Sequence, residues 1–149
     1  KRQACEELIK DACNLGCFDG ISLRYFNPIG AHYSGIIGES PLGQPNNIFP
    51  IIGKVALGLI SKLSIFGNDW PTRDGTCIRD YIHVMDLAEG HINALRFLEK
   101  YNTKLLYLNL GTGLGTSVLD LIRTFEKVNK VKINFEFTKN LLLIISLGK

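Results

Sequence analysis

Apolar and polar positions follow two different periods along this chain, and the switches between them outline its elements. Residues 3 to 15 place Ala4, Cys5, Leu8, Ile9, Ala12 and Cys13 on one face at helical spacing, with Gly16 as the stop. ISLRYF, residues 21 to 26, is rich in β-formers and predicts a strand. Asn46 and Asn47 precede IFPIIGKVALGLI, an apolar run that is nearly all-round and predicts a well-buried helix with an Asn cap. LSIFG (63 to 67) predicts a short strand, and CIRDYIHV (77 to 84) alternates and predicts another. DLAE, residues 86 to 89, matches a capping box in which Asp86 accepts from the Glu89 amide, so a helix follows to about Lys100. LLYLNL (105 to 110) is a continuous apolar strand of the kind buried on both faces of a parallel sheet. SVLD (117 to 120) resembles a second capping box, opening a helix to about Lys130. VKINFEF (131 to 137) alternates strictly and predicts a half-exposed strand. Strands alternating with helices predict an α/β fold, with no internal repeat and no linker.

One stretch fits neither period. After LRYF the chain reads NPIGAHYSG, and residues 28 to 45 hold Pro28, Pro41 and Pro45 with Gly30, Gly35, Gly38 and Gly43. A loop this long in a compact domain is often functional.

Composition narrows the classes. The chain has 149 residues, one ordinary domain's worth, and 46% apolar content suits a globular core. Its net charge is +3 with basic residues scattered along the sequence, which gives no footprint for nucleic acid or a membrane surface. The longest apolar run, LLLIIS at 141 to 146, is far short of the roughly 20 residues a membrane span needs. Cys5, Cys13, Cys17 and Cys77 form no C-x-x-C pair, and no His stands at zinc-finger spacing, so no metal is expected. Small buried thiols in a reducing, cytoplasmic setting are the expectation. The opening KRQACEELIK is charged and helical, unlike a secretory leader, and it lacks Met, which suggests a piece of something longer.

Four motifs could carry chemistry. Asn27 ends a strand, where open α/β sheets bind ligands, although Asn-Pro is also a plain turn. In PNN (45 to 47) one Asn can cap the helix while the other offers an amide to an anion. In IRDYIH, Arg79 and Tyr81 share a strand face, and a central-strand Arg needs a partner or a phosphate; His83 alone reads as a core histidine. GTGLGTSVLD lies between strand and helix as a phosphate loop would, yet Ser117 and Asp120 as a capping box account for it without a ligand.

Together LRYFNPIGAH, GxxPLGxPNN, SIFGNDWPTRDGTCIRDYIHVMDLAEGH and YLNLGTGLGTSVLDL occur in this order and spacing. Over about residues 3 to 138 the chain resembles the C-terminal half of the UDP-glucose 4-epimerases (UDP-galactose 4-epimerases), a branch of the extended short-chain dehydrogenase/reductase family. The resemblance implies the C-terminal portion of a Rossmann-type NAD-binding sheet plus a smaller nucleotide-sugar-binding domain. On this pattern residues 1 to 27 end the Rossmann domain. Residues 28 to 138 are mostly substrate domain, with 86 to 110 returning to the Rossmann sheet. Residues 139 to 149 form a tail that matches nothing in the family.

The family's chemistry would be transient oxidation at C4 of a UDP-sugar in galactose metabolism. A Tyr in Y-x-x-x-K takes the 4-OH proton, NAD takes the hydride, and the keto sugar is reduced on its other face. By the same resemblance Lys1 is the catalytic lysine, with Arg2 the alternative when the helix is matched instead. Tyr25 and Phe26 lie near the nicotinamide of NAD. Asn27, Asn46, Asn47 and Ile48 hold the nucleotide-sugar, Phe66 lines the uracil pocket, and Arg79 grips a phosphate, with Asp80, Tyr81 and His83 as its support. The family enzyme is expected to be a homodimer. No Y-x-x-x-K occurs within the chain, so the 149 residues alone are expected to be inactive, either as one piece of that enzyme, as a catalytically dead nucleotide-sugar-binding fragment, or as part of another nucleotide-sugar epimerase or dehydratase.

Overall fold

A computed structural model describes residues 2 to 39, 42, 43, 45 and 47 to 139. In chain order the elements are α1 (Arg2–Asn14), β1 (Gly20–Tyr25), β2 (Asn27–Ile29), α2 (Ile48–Ala56), β3 (Leu63–Phe66), β4 (Ile78–His83), α3 (Val84–Tyr101), β5 (Leu105–Leu110), β6 (Gly115–Ser117), α4 (Val118–Asn129) and β7 (Phe135–Thr138). The fold is mixed α/β with parallel pairing, as the alternation of periods predicts. The chain divides into two compact units, residues 1–37 with 81–113 and residues 38–80 with 114–149.

In the first unit β1 and β5 pair in parallel from Gly20–Leu105 to Tyr25–Leu110, and β2 pairs in parallel with the last three residues of β4. Asn27–Ile29 is therefore strand, and the irregular stretch begins at Gly30 rather than Pro28. Pro28 is tolerated because β2 is an edge among the described strands, where the missing N–H costs no ladder bond. Cys13, Ile82, Leu87 and Ala94 are the buried apolar side chains of this unit. The predicted face of α1 is only half used: Cys13 is buried, whereas Ala4, Cys5 and Leu8 are exposed. Two described strands offer too narrow a floor for the whole stripe. For the same reason Tyr107 and Leu108 of β5 stay more than a third exposed rather than buried on both faces. Of the three cysteines on or near α1, Cys13 alone is buried.

The second unit has the larger core. Ile52 and Val55 of α2, Leu63 and Ile65 of β3, Leu121 and Ile122 of α4, and Ile133 are all buried. At about 25 cal/mol per Å² of apolar surface removed from water, each such aliphatic side chain contributes roughly 1.5–3 kcal/mol. Phe49 meets Phe125 edge to face at 5.8 Å, joining α2 to α4. No described residue of α2 is exposed, but the helix ends at Ala56, and Leu57, Leu59 and Ile60 of the same apolar run lie beyond it and are exposed; Pro50 sits in the first turn, where a missing N–H is harmless. β3 and β7 pair in parallel, and the first part of β4 pairs antiparallel with β6.

β7 starts at Phe135, not Val131. The reason is Glu126 of α4, whose Oε1 accepts from the Ile133 amide at 2.9 Å and takes a donor that a strand would need. β6 has no counterpart in the sequence reading, because three residues of GTS carry no periodic signal. Among the described residues no helix is long and apolar enough to cross a membrane.

Candidate functional site

In the first unit, Tyr25, Phe26 and Asn27 stand together at the carboxyl end of β1. The Phe26 amide extends the β1–β5 ladder by one bond to Leu110 O at 3.0 Å, and the next residue changes partner, Asn27 pairing with Tyr81. This handover leaves the Tyr25 and Phe26 side chains half exposed, at 49% and 50%. Such a strand end is where open α/β sheets bind ligands. The Tyr25 ring lies 5.9 Å from that of His91 on α3. His91 Nδ1 is 2.8 Å from Leu87 O, and since a carbonyl only accepts, Nδ1 carries the proton and Nε2 is left as the neutral ring's acceptor. His91 escaped the sequence reading because nothing in sequence links positions 25 and 91.

The next turn of the chain is held tightly. His83 caps α3, its Nδ1 accepting from the Met85 amide at 3.2 Å. The helix therefore begins at Val84, and the expected box of Asp86 with Glu89 lies inside its first turns. The ring of His83 also packs on Gly30, where a Cβ would come within 2.5 Å of Nε2 at a φ of +88°. His83 thus acts on α3 and Gly30, rather than as the expected support for Arg79.

α1 is tied to the same unit by Glu6. Arg24 donates to both carboxylate oxygens, Nε to Oε1 at 2.7 Å and Nη2 to Oε2 at 2.5 Å, and Ser22 Oγ adds a bond at 3.2 Å. The Arg24 guanidinium lies 5.3 Å from the Tyr107 ring centroid, and the Tyr107 hydroxyl donates to Glu6 O at 3.3 Å. The Glu6 hydrogen bond and charge raise the Arg24 pKa further above its usual value.

In the second unit, Asn47 occupies the N-cap position of α2, but its side chain does not cap; its Nδ2 donates instead to Glu39 at 3.2 Å. Ile48 opens the helix, half-buried. Phe66 ends β3 with its ring 48% exposed, and its carbonyl accepts from Trp70 Nε1 at 3.4 Å. Arg79 pairs with Thr116 across the β4–β6 ladder. Its side chain is exposed, donates to the Ile78 carbonyl at 3.2 Å, and makes no ion pair among the described residues. The expectation that Arg79 is buried is thus corrected, since the three-residue β6 leaves this end of β4 open. Lys1 and Asn46 lie outside the described residues.

The segment WPTRDGTC does something the sequence reading missed. Asp74 accepts from Ser117 Oγ at 2.5 Å, Thr76 Oγ1 at 2.7 Å and the Thr76 amide at 2.9 Å. Ser117 in turn accepts from the Asp120 amide at 3.0 Å, Thr76 Oγ1 from the Leu119 amide at 3.4 Å, and Cys77 O from the Val118 amide at 3.1 Å. The first three amides of α4 are all occupied, so Ser117 is a cap as expected and the GTGLG stretch presents none of them to a phosphate. Arg73 closes the cluster on Asp120, at 2.6 and 2.8 Å. Burial alone would raise the Asp74 pKa, but the Ser117 and Thr76 hydrogen bonds and the Arg73 charge hold it below the usual carboxylate value.

The NAD dependent epimerase/dehydratase family model matches residues 1 to 108. The UDP-glucose 4-epimerase of Drosophila melanogaster is 52% identical over 132 residues, which cover 87% of this chain and 38% of that protein. The human UDP-glucose 4-epimerase is 51% identical over 132 residues, 88% of this chain and 38% of that protein. Among solved structures, a UDP-glucose-4-epimerase from Stenotrophomonas maltophila with bound NAD and formylated UDP-arabinopyranose is 46% identical with a TM-score of 0.88, over 93% of this chain and 41% of that one. The UDP-glucose 4-epimerase from Brucella ovis in complex with NAD is 31% identical with a TM-score of 0.86, over 99% of this chain and 43% of that one. The chain thus spans about 38% of the length of these curated relatives.

Proposed function

The chain belongs to the NAD dependent epimerase/dehydratase family, and from that premise we propose that it is the nucleotide-sugar-binding part of a UDP-glucose 4-epimerase, with the end of its NAD-binding sheet. The longer enzyme interconverts UDP-glucose and UDP-galactose by transient oxidation at C4, in galactose metabolism, as a cytoplasmic homodimer. The first unit supplies the close of the Rossmann sheet, and the second holds the UDP-sugar.

The observation that carries this reading is Arg79, an exposed guanidinium on a paired strand with no ion pair among the described residues. Such a group meets a diphosphate through parallel charge-assisted hydrogen bonds. Phe66 offers a half-exposed ring face for uracil, and Asn47 and Ile48 hold the sugar nucleotide at the start of α2. The half-exposed rings of Tyr25 and Phe26, at the carboxyl end of a parallel ladder, fit the flat nicotinamide of NAD. Bound beside these rings, NAD would supply a hydride acceptor and donor for C4 of the sugar. By the resemblance of its sequence position to the family lysine, Lys1 would lower the pKa of the tyrosine that removes the 4-OH proton in the longer enzyme.

Within the 149 residues no Tyr stands four positions before a Lys, so this chain binds without turnover. Titration calorimetry with UDP tests both parts. UDP is expected to bind the wild-type chain, and Arg79→Ala to weaken it about 10- to 100-fold, the worth of a hydrogen-bonded charge pair. Incubation with UDP-galactose and NAD is expected to give no UDP-glucose. A wild-type chain indifferent to UDP, or an Arg79→Ala chain that binds equally well, sinks the assignment. Product formation sinks the claim of binding without turnover.

A further inference from the structure

The basic residues are less scattered in space than along the sequence. Residues 123 to 132 hold Arg123, Lys127, Lys130 and Lys132 against one carboxylate, Glu126, an excess of three positive charges. The whole chain has 17 Lys and Arg against 14 Asp and Glu, also an excess of three, so everything outside this decapeptide balances to zero. These side chains, with Val131, line one open cleft of about 410 Å³ at the C-terminal end of α4.

Glu126 offsets one of these charges, that of Lys132, and leaves the other three. Its Oε1 is taken by the Ile133 amide and its Oε2 faces Lys132 at 3.7 Å, with only 19% of the side chain exposed. Arg123, Lys127 and Lys130 are exposed and make no ion pair among the described residues. Arg123 and Lys127 stand one helical turn apart, where like charges repel. Balancing a helix C-terminus needs about half a charge, far less than this excess. Lys130 adds a separate oddity: it holds a left-handed backbone, φ 54° and ψ 38°, at the position after the helix that favours glycine.

We infer that this cleft is an anion site for a compact, multivalent phosphate group such as a di- or triphosphate. Three of its four cations are lysines, which meet phosphate as mobile point charges. No aromatic ring lines the cleft, so nothing there stacks a nucleobase, which disfavours single-stranded nucleic acid. The site does not depend on the UDP reading: it adjoins the chain entering β7 at Phe135, whereas Phe66 ends β3 at the opposite end of the same parallel pair.

Inorganic tripolyphosphate is the probe, titrated by calorimetry into the full 149-residue chain at about 0.15 M salt. One-to-one saturable binding is expected, weakened roughly tenfold in Lys127→Ala/Lys130→Ala, since exposed charges each contribute modestly. Lys100→Ala/Lys104→Ala, two exposed lysines of the first unit, is expected to bind as wild type does. Lys130→Gly separates binding from folding: it is expected to raise the melting temperature, by relieving the left-handed backbone, while lowering affinity. Absence of binding, an equal loss in the Lys100/Lys104 control, or saturation by a polyglutamate peptide with tripolyphosphate inert each overturns the inference.

Discussion

Gly75→Ala is expected to destabilise the second unit by about 3–5 kcal/mol, enough to remove a large part of a small domain's stability. Gly75 has a φ of +75°, and a Cβ there would lie 2.2 Å from the carbonyl oxygen of Asn68 and 2.9 Å from its carbon. The first feature alone costs an alanine about 1–2 kcal/mol. The second cannot be relieved by a rotamer change, because the obstacle is backbone. Gly75 O also accepts from the Trp70 amide at 3.0 Å, so moving either strand of the turn breaks that bond. The displacement would pass to Asp74 and Thr76, which flank Gly75 and hold the start of α4. Trp70 is the only tryptophan in the chain, so urea denaturation followed by its fluorescence reports on this turn. A midpoint shift worth less than about 1 kcal/mol would show that the turn relaxes freely and that the close approach is unimportant.

What the sequence made legible was whatever repeats. The helices α2 and α4 and the strands β1, β3 and β4 announce themselves through period and propensity, and each is found within a few residues of its expected place. Ser117 was visible as a cap because its partner is only three residues away. What stayed hidden joins residues far apart in sequence. Asp74 and Ser117 are 43 positions apart, Glu6 and Arg24 are 18, and Tyr25 and His91 are linked only through folding. β6 failed to register because its three residues owe their conformation to β4 rather than to themselves. His83 was missed as a cap because histidine is a rare choice there, and DLAE offered a more familiar pattern three residues later. Arg79 shows the opposite error: strand and face were read correctly, but its burial depends on how long the neighbouring strand is. The basic cleft was legible in part, since Arg123 and Lys127 stand one helical turn apart; reading charge along the chain rather than around the helix concealed it.

Asp74→Ala is expected to cost about 2–4 kcal/mol, and to change how stability depends on acid. The carboxylate accepts three hydrogen bonds, two of them from Thr76, which is fully buried, and one from Ser117, which is 6% exposed. Removing it leaves the Thr76 amide and two hydroxyls without their acceptor, and each buried unsatisfied group costs about 1–3 kcal/mol, less than additively. Asp74→Asn keeps an oxygen for the Thr76 pair and turns an amide toward Ser117, whose oxygen can accept a second bond, so its expected cost is nearer 1 kcal/mol. The pH dependence follows from the depressed pKa. The folded state prefers the carboxylate more than the unfolded state does. This contribution is fully present above the unfolded value, near pH 4, and is lost as pH falls through the lower folded value. Wild-type stability should therefore decline more steeply below about pH 4 than that of Asp74→Asn, and the gap between them should close in acid. Urea titrations of both proteins from pH 7 to pH 3 measure it. Parallel curves would mean that Asp74 is no more acidic in the folded chain than in the unfolded one, and that the hydroxyls around it hold α4 without its charge.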